Sequence, residues 1–171
     1  MQLFKKLPCE NYDAINQQLL DWVNTTNLVE SNNFWNPVEV KKILSSCPLF
    51  KQWLLENKIL VQSIGVTIGK RINCCPPHID TPPARYKLSW PVQNTKGTFN
   101  KWYSVKDHTK VLVNHLGGHS YDYDNLIEIE QTEVLFPMII DAGVVHDVFF
   151  ESKVFPRIGL QCKLFNEPSI L

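Results

Sequence analysis

The chain has 171 residues, enough for one domain with a real core. Seventeen Lys and Arg balance seventeen Asp and Glu, which removes any bulk electrostatic pull toward nucleic acid or an anionic membrane. No apolar run approaches the ~20 residues of a membrane-spanning helix. The opening MQLFKKLPCENYDA has no apolar stretch after its lysines and does not read as a secretory signal. The five cysteines lack disulfide or zinc-ribbon spacing. Together these features predict a cytoplasmic single domain over residues 1–171 with reduced thiols, and they are silent on oligomeric state.

The first third predicts helices. Asn11-Tyr12-Asp13 caps a segment from Ala14 to Val23 that carries Ile15, Leu19, Leu20 and Val23 on one side. Asn36-Pro37 predicts the start of a second helix, with Asn36 as N-cap and Pro37 in its first turn, ahead of Val38, Val40, Ile43 and Leu44. Cys47-Pro48 interrupts it, and Leu49 to Glu56 predicts a third helix carrying Phe50, Trp53 and Leu54. After Asn57 the texture becomes β-branched, with Ile59, Leu60, Val61, Ile64, Val66 and Ile68 punctuated by Gly65 and Gly69. Short strands then follow over Tyr86–Val92, Thr98–Val105, Val111–Val113, Leu126–Val134, Met138–Ile140, Val144–Phe149 and Ile158–Phe165. A helical buttress over 1–57 and a strand-rich remainder over 58–171 predict a mainly β fold, a sandwich or jelly roll backed by N-terminal helices.

The chemistry-bearing residues lie in that β region. His78 and Asp80 stand two apart, so on a strand both side chains point to one face and can reach one ion. Pro76-Pro77 stiffens the approach to them. His146 heads a later strand after the turn Asp141-Ala142-Gly143. Two imidazoles and a carboxylate form the ligand set of a mononuclear non-haem iron(II) centre with open positions. Arg157 follows on the next predicted strand, where Ile158, Leu160, Cys162 and Leu164 share one face and Arg157, Gly159, Gln161 and Lys163 the other. A guanidinium inside a barrel requires an anionic partner, and a dicarboxylate fits its planar fork. Taken alone, His-x-Asp also reads as a surface turn, and Arg157 as an exposed strand-end charge.

The ordered set His78-x-Asp80, His146 and Arg157 resembles the iron(II)/2-oxoglutarate-dependent oxygenase superfamily, particularly its small prolyl-hydroxylase-like and phage-type members. The surrounding text is similar as well: Tyr86–Val92, Gly97–Tyr103, Pro137–Asp141, His146-Asp147-Val148 and Pro156–Leu160, within a likeness running from Ile59 to Phe165. The resemblance implies a double-stranded β-helix, the cupin-like jelly roll. It also implies iron(II) on His78, Asp80 and His146, with 2-oxoglutarate and O2 as cosubstrates and Arg157 on the distal carboxylate. The implied activity is a dioxygenase, a hydroxylase that couples oxidative decarboxylation of 2-oxoglutarate to C–H oxidation. Two positions depart from the family text. Gly159 stands where a serine is common, so Ser89, Tyr103 or Lys87 would supply the missing hydrogen bond; Ser89 stands where an asparagine is common and keeps a shorter hydrogen-bonding group.

Around this set, Arg85, Trp102 and His119 are candidate substrate contacts. His115 and His119 have helical metal spacing, but Gly117-Gly118 opposes a helix there and favours a solvated loop. Trp90 reads as a core aromatic, and Asp147 as pointing away from its neighbour His146. The substrate class left open is a small molecule or a protein side chain, with nucleic acid disfavoured and no membrane partner. Two other functions compete: a barrel that serves as a non-catalytic binding module, and a cupin-like metalloenzyme that uses no 2-oxoglutarate. An inward Arg157 discriminates against the second of these.

Overall fold

A computed structural model describes residues 2–71, 75–80, 85–113 and 119–165. In chain order the elements are β1 (Phe4–Lys6), α1 (Tyr12–Thr25), β2 (Trp35–Val38), α2 (Val40–Ser46), α3 (Pro48–Glu56), β3 (Val61–Gly69), β4 (His78–Ile79), β5 (Tyr86–Gln93) and β6 (Thr98–Val105). They continue with β7 (Leu112–Val113), β8 (His119–Ser120), β9 (Leu126–Glu133), β10 (Met138–Asp141), β11 (His146–Phe150) and β12 (Arg157–Leu164). Among the described residues the protein is mainly β, with two antiparallel sheets and three helices. The first sheet has the order β1-β10-β5-β12-β3-β2 and the second β7-β8-β4-β11-β6-β9.

The N-terminal third departs from an all-helical buttress. Phe4–Lys6 pairs with β10, and Trp35–Val38 pairs with β3, so both extend the first sheet. Asn36 and Pro37 therefore lie in an edge strand, and the second helix begins only at Val40. The reason is a tertiary hydrogen bond. The Asn36 carboxamide donates to the Val66 carbonyl at 3.3 Å and to the Asn33 carbonyl at 3.0 Å, and accepts from the Ser31 hydroxyl at 2.6 Å, so it is not available as a cap. Pro37 is tolerated because an edge strand needs no donor on its open side. Asn11 holds the N-cap position of α1 without a side-chain capping bond.

The two faces of the first sheet differ in kind. Ile64, Val66, Ile68, Leu88, Trp90, Val92, Ile139, Ile158, Leu160 and Cys162 form one buried cluster with Ile15, Leu19 and Val23 of α1, Ile43 of α2, and Phe50, Trp53 and Leu54 of α3. Trp90 is fully buried and meets the rings of Tyr12, Phe50 and Trp53 at centroid distances of 5.7, 5.2 and 4.9 Å. Burial of this apolar surface is the main stabilising term. The opposite face carries Gly65, Thr67, Gly69, Lys87, Ser89, Arg157, Gly159 and Gln161, which follows from their strand parity and register. That face meets the second sheet: Phe4 stacks on Trp102 at 5.6 Å, and Met138 and Ile140 pack with Trp102 and Val134. Among the described residues no helix is long and apolar enough to cross a membrane. Cys9, Cys47 and Cys162 are free thiols, and Cys74 lies outside the described residues.

Candidate metal centre

His78 and His146 are cross-strand partners on β4 and β11, which sets their rings side by side at 4.6 Å. Asp80 lies two residues beyond His78, its amide donating to the Ala142 carbonyl at 3.1 Å, so the β10–β11 turn holds it in place. Asp80 Oδ1 stands 3.8 Å from His78 Nε2, and Asp80 Oδ2 stands 3.9 Å from His146 Nε2. The three donor atoms lie within 4.8 Å of one another. A cation held by all three would need bonds of about 2.1 Å, so these side chains would draw closer around it.

The imidazoles have tautomers compatible with holding a cation. His78 Nδ1 sits 2.8 Å from the Pro76 carbonyl and His146 Nδ1 2.9 Å from the Val144 carbonyl. A carbonyl only accepts, so each Nδ1 carries the proton and each Nε2 lone pair is left for a cation. Burial, reinforced by His78, pushes His146 down to about 3 and keeps its ring neutral. For Asp80, burial alone would raise the carboxyl. The Lys87 charge, with His146 and His78, outweighs it and holds Asp80 below the ordinary carboxylate value. The Lys87 ammonium is in direct contact with Asp80 Oδ2.

Arg157 is on the facing sheet, 2% exposed. Its guanidinium lies 5.2 Å from the centre of the Phe150 ring and extends along its own strand over Gly159. A Cβ on Gly159 would stand 3.6 Å from Arg157 Nη2, 3.2 Å from Thr67 Oγ1 and 3.3 Å from the Trp90 carbonyl oxygen. The Thr67 hydroxyl, which donates to the Gly159 carbonyl at 3.0 Å, thus occupies the space that a side chain at 159 would fill.

The other predicted residues separate by face. Ser89 is buried on the Arg157 face and accepts from Gln161 Nε2 at 2.9 Å, leaving its own proton to give. Tyr103 points the other way: its hydroxyl donates to Asp147 Oδ2 at 3.2 Å, alongside that of Tyr123 at 2.5 Å. Asp147 accordingly faces away from the histidines. Arg85 grips Asp141 through Nε at 3.2 and 3.1 Å and through Nη2 at 2.8 Å. It braces the turn before His146, where Asp141 also accepts from the Gly143 amide at 2.9 Å. Trp102 is fully buried in register with His146 and donates to the Asp141 carbonyl at 3.0 Å. His119 is exposed on β8, paired with Ile79 and so on the opposite face from His78. His115 lies outside the described residues.

Sequence reasoning passed over Asn100 and Trp35 as site residues. Asn100 is fully buried on β6, on the same face as Trp102, and its Oδ1 has no hydrogen-bond partner among the described residues; nor has Gln161 Oε1 on the opposite sheet. Buried polar atoms in this state mark a polar space between the sheets that a ligand or water would satisfy. The readable signal for Asn100 was its parity with Thr98 and Trp102 on a strand. Trp35 lies flat over Gly65, where a Cβ would approach its ring to 2.2 Å, and its ring centre is 6.0 Å from Lys87 Nζ.

No family model matches the chain, and no curated protein matches it.

Proposed function

We propose that this protein is an iron(II)- and 2-oxoglutarate-dependent oxygenase, a hydroxylase acting on a small molecule or a protein side chain. The observation that carries this reading is the convergence of His78, Asp80 and His146 with both Nε2 lone pairs free, opposite a buried Arg157. The strand connectivity supports it. The chain passes from β3 in the first sheet to β4 in the second, β5 in the first and β6 in the second. It then runs from β9 in the second sheet to β10, β11 and β12 in the first, second and first. This alternation is what a double-stranded β-helix would require, and it puts His78 and His146 on the second sheet. The free thiols fit a reducing, cytoplasmic compartment.

The residues fit the absent groups chemically. Two neutral imidazoles and one carboxylate leave a divalent ion with net positive charge and open positions. Bound there, iron(II) would supply the oxygen and electron-transfer chemistry that joins 2-oxoglutarate decarboxylation to C–H oxidation. The chain's own contribution is placement. The Pro76 and Val144 carbonyls fix the ligand tautomers, and the Asp141–Arg85 pair sets the turn that delivers His146. Arg157 provides a charged fork for a distal carboxylate, and Ser89 provides a hydroxyl proton beside it. Trp102, Phe150 and Met138 wall the space against bulk water, which keeps the charged contacts strong.

Anaerobic addition of iron(II) and 2-oxoglutarate tests this through the weak visible charge-transfer band of the chelate. We expect the band in the wild type, its loss in His78→Ala through loss of metal, and a roughly 10- to 100-fold weaker 2-oxoglutarate affinity in Arg157→Met with metal retained. No band in the wild type, or an unaltered one in both variants, would return the chain to the binding-module or oxoacid-independent reading.

A further inference from the structure

We propose that Lys87 holds the metal-proximal carboxylate of whatever ligand chelates this centre, so that the site is selective for carboxylate chelators. The inference rests on the metal-centre reading above but not on the ligand being 2-oxoglutarate.

Lys87 lies on β5, 8% exposed, and reaches across from the first sheet to Asp80 on the second. It touches Oδ2, the same oxygen that faces His146 Nε2 at 3.9 Å. Its register partner on β12 is Lys163, on the same face, so two ammonium-bearing chains stand directly opposite each other. Like charges so placed repel, and in the metal-free chain Asp80 offsets the charge of Lys87. A divalent ion bound to Asp80 draws that carboxylate's charge to itself and adds two positive charges. The ammonium then requires another anion, because a largely desolvated charge without one is costly.

Geometry says where that anion must be. A group coordinated next to Asp80 lies about 3 Å from the Asp80 oxygen, given bonds of about 2.1 Å. An ammonium already in contact with that oxygen therefore reaches a group coordinated on its own side of Asp80. Lys87 has three N–H donors and can keep Asp80 on one while giving another to the ligand. Trp35, with its ring centre 6.0 Å from Nζ, limits where else the side chain can swing. A neutral chelator would leave this charge uncompensated, whereas a carboxylate compensates it. Arg157 acts at a different place, beyond Gly159 on the far side of Gln161 and Ser89, so the two cations address opposite ends of a ligand.

The test uses Mn2+-loaded protein and calorimetric titration with oxalate, pyruvate and 2-oxoglutarate. We expect Lys87→Met to weaken all three by roughly 10-fold or more, with Mn2+ affinity equal to the wild type or tighter. Lys87→Arg should restore most of the loss. Arg157→Met should weaken 2-oxoglutarate alone, since oxalate and pyruvate have no distal carboxylate. Lys87→Gln stands in if the methionine variant does not fold. Affinities within about twofold of the wild type for all three acids in a Lys87 variant that binds Mn2+ would overturn the proposal. Lys87-dependent oxalate binding without 2-oxoglutarate binding would uphold it and overturn the cosubstrate reading. Binding of 2-oxoglutarate that ignores Lys87 would do the reverse.

Discussion

Substituting Gly65 by alanine isolates the contact that shapes one wall of the cavity. The new Cβ would lie 2.2 Å from Trp35 Cη2 and Cζ2 and 2.5 Å from Cε2. Ordinary carbon contacts are about 3.5–4.0 Å, so the ring must retreat by more than about 1 Å. Its backbone cannot follow, because Trp35 pairs with Thr67 and the neighbouring Asn36 is tied to Ser31, Asn33 and Val66. The indole must therefore swing outward. A wholly buried aromatic contributes about 4–6 kcal/mol from ~150–250 Å2 of area. Trp35 is half-buried and only partly displaced, which reduces the loss to about 2 kcal/mol. Replacing glycine recovers about 0.4–1 kcal/mol through the unfolded chain. The net expectation is a destabilisation of about 1–2 kcal/mol, or roughly 3–6 °C in Tm. Urea denaturation of Gly65→Ala, Trp35→Ala and the double variant closes the cycle, and without the indole the alanine should be neutral or stabilising. Equal costs of Gly65→Ala in both backgrounds would refute the reasoning, because the collision would then not be the cause.

Asp141→Ala should cost about 2–4 kcal/mol in urea melts, since it strips a buried acceptor from Arg85 and Gly143, and it should weaken Mn2+ binding by loosening the turn before His146; a loss under about 0.5 kcal/mol would contradict the bracing role. Metal-free protein should lose stability as pH falls from about 6.5, where an unfolded histidine takes up a proton, toward the value of about 3 at which the buried His146 does so. That contribution is intact above the unfolded value. Asp147, raised mainly by burial, works in the opposite sense, so the comparison is with His146→Gln, which should flatten the urea midpoint between pH 7.5 and 5; identical profiles would count against a buried neutral ring. Burial raises the Cys47 thiol to about 11 and the Cys162 thiol further. Both should therefore resist a thiol-disulfide reagent at neutral pH until the protein unfolds, whereas the partly exposed Cys9 reacts sooner; fast labelling of Cys47 or Cys162 in the folded state would show that the outer cluster opens.

Most strands were legible because their signal is local. Thr98–Val105 and the alternating run after Arg157 announce themselves through parity alone, and β6 and β12 occupy those positions. The segment at Asn36-Pro37 misled because cap chemistry is also local, while the bond that decided its fate runs to Val66, thirty positions away. Three-residue β1 has no periodicity to read and exists only because β10 offers an edge. Two members of the His-Asp-His group were legible from the two-residue spacing of His78 and Asp80. The neighbours of Tyr103 and Arg85 were not, because register decides which face each occupies: pairing His146 with Trp102 turns Tyr103 toward Asp147. Lys87 was visible as a polar residue in an apolar strand, but its contact with Asp80 depends on how the two sheets lie across one another.

The helices shield only the outer side of the first sheet, and that side carries the weight of the fold. Thr67, Ser89 and Gln161 on the inner side contribute little to the apolar cluster that anchors α1 and α3. Their identities are thus cheap to exchange. A scaffold of this kind can change the chemistry of its inner face at a handful of positions, at small thermodynamic risk, while its outline stays the same.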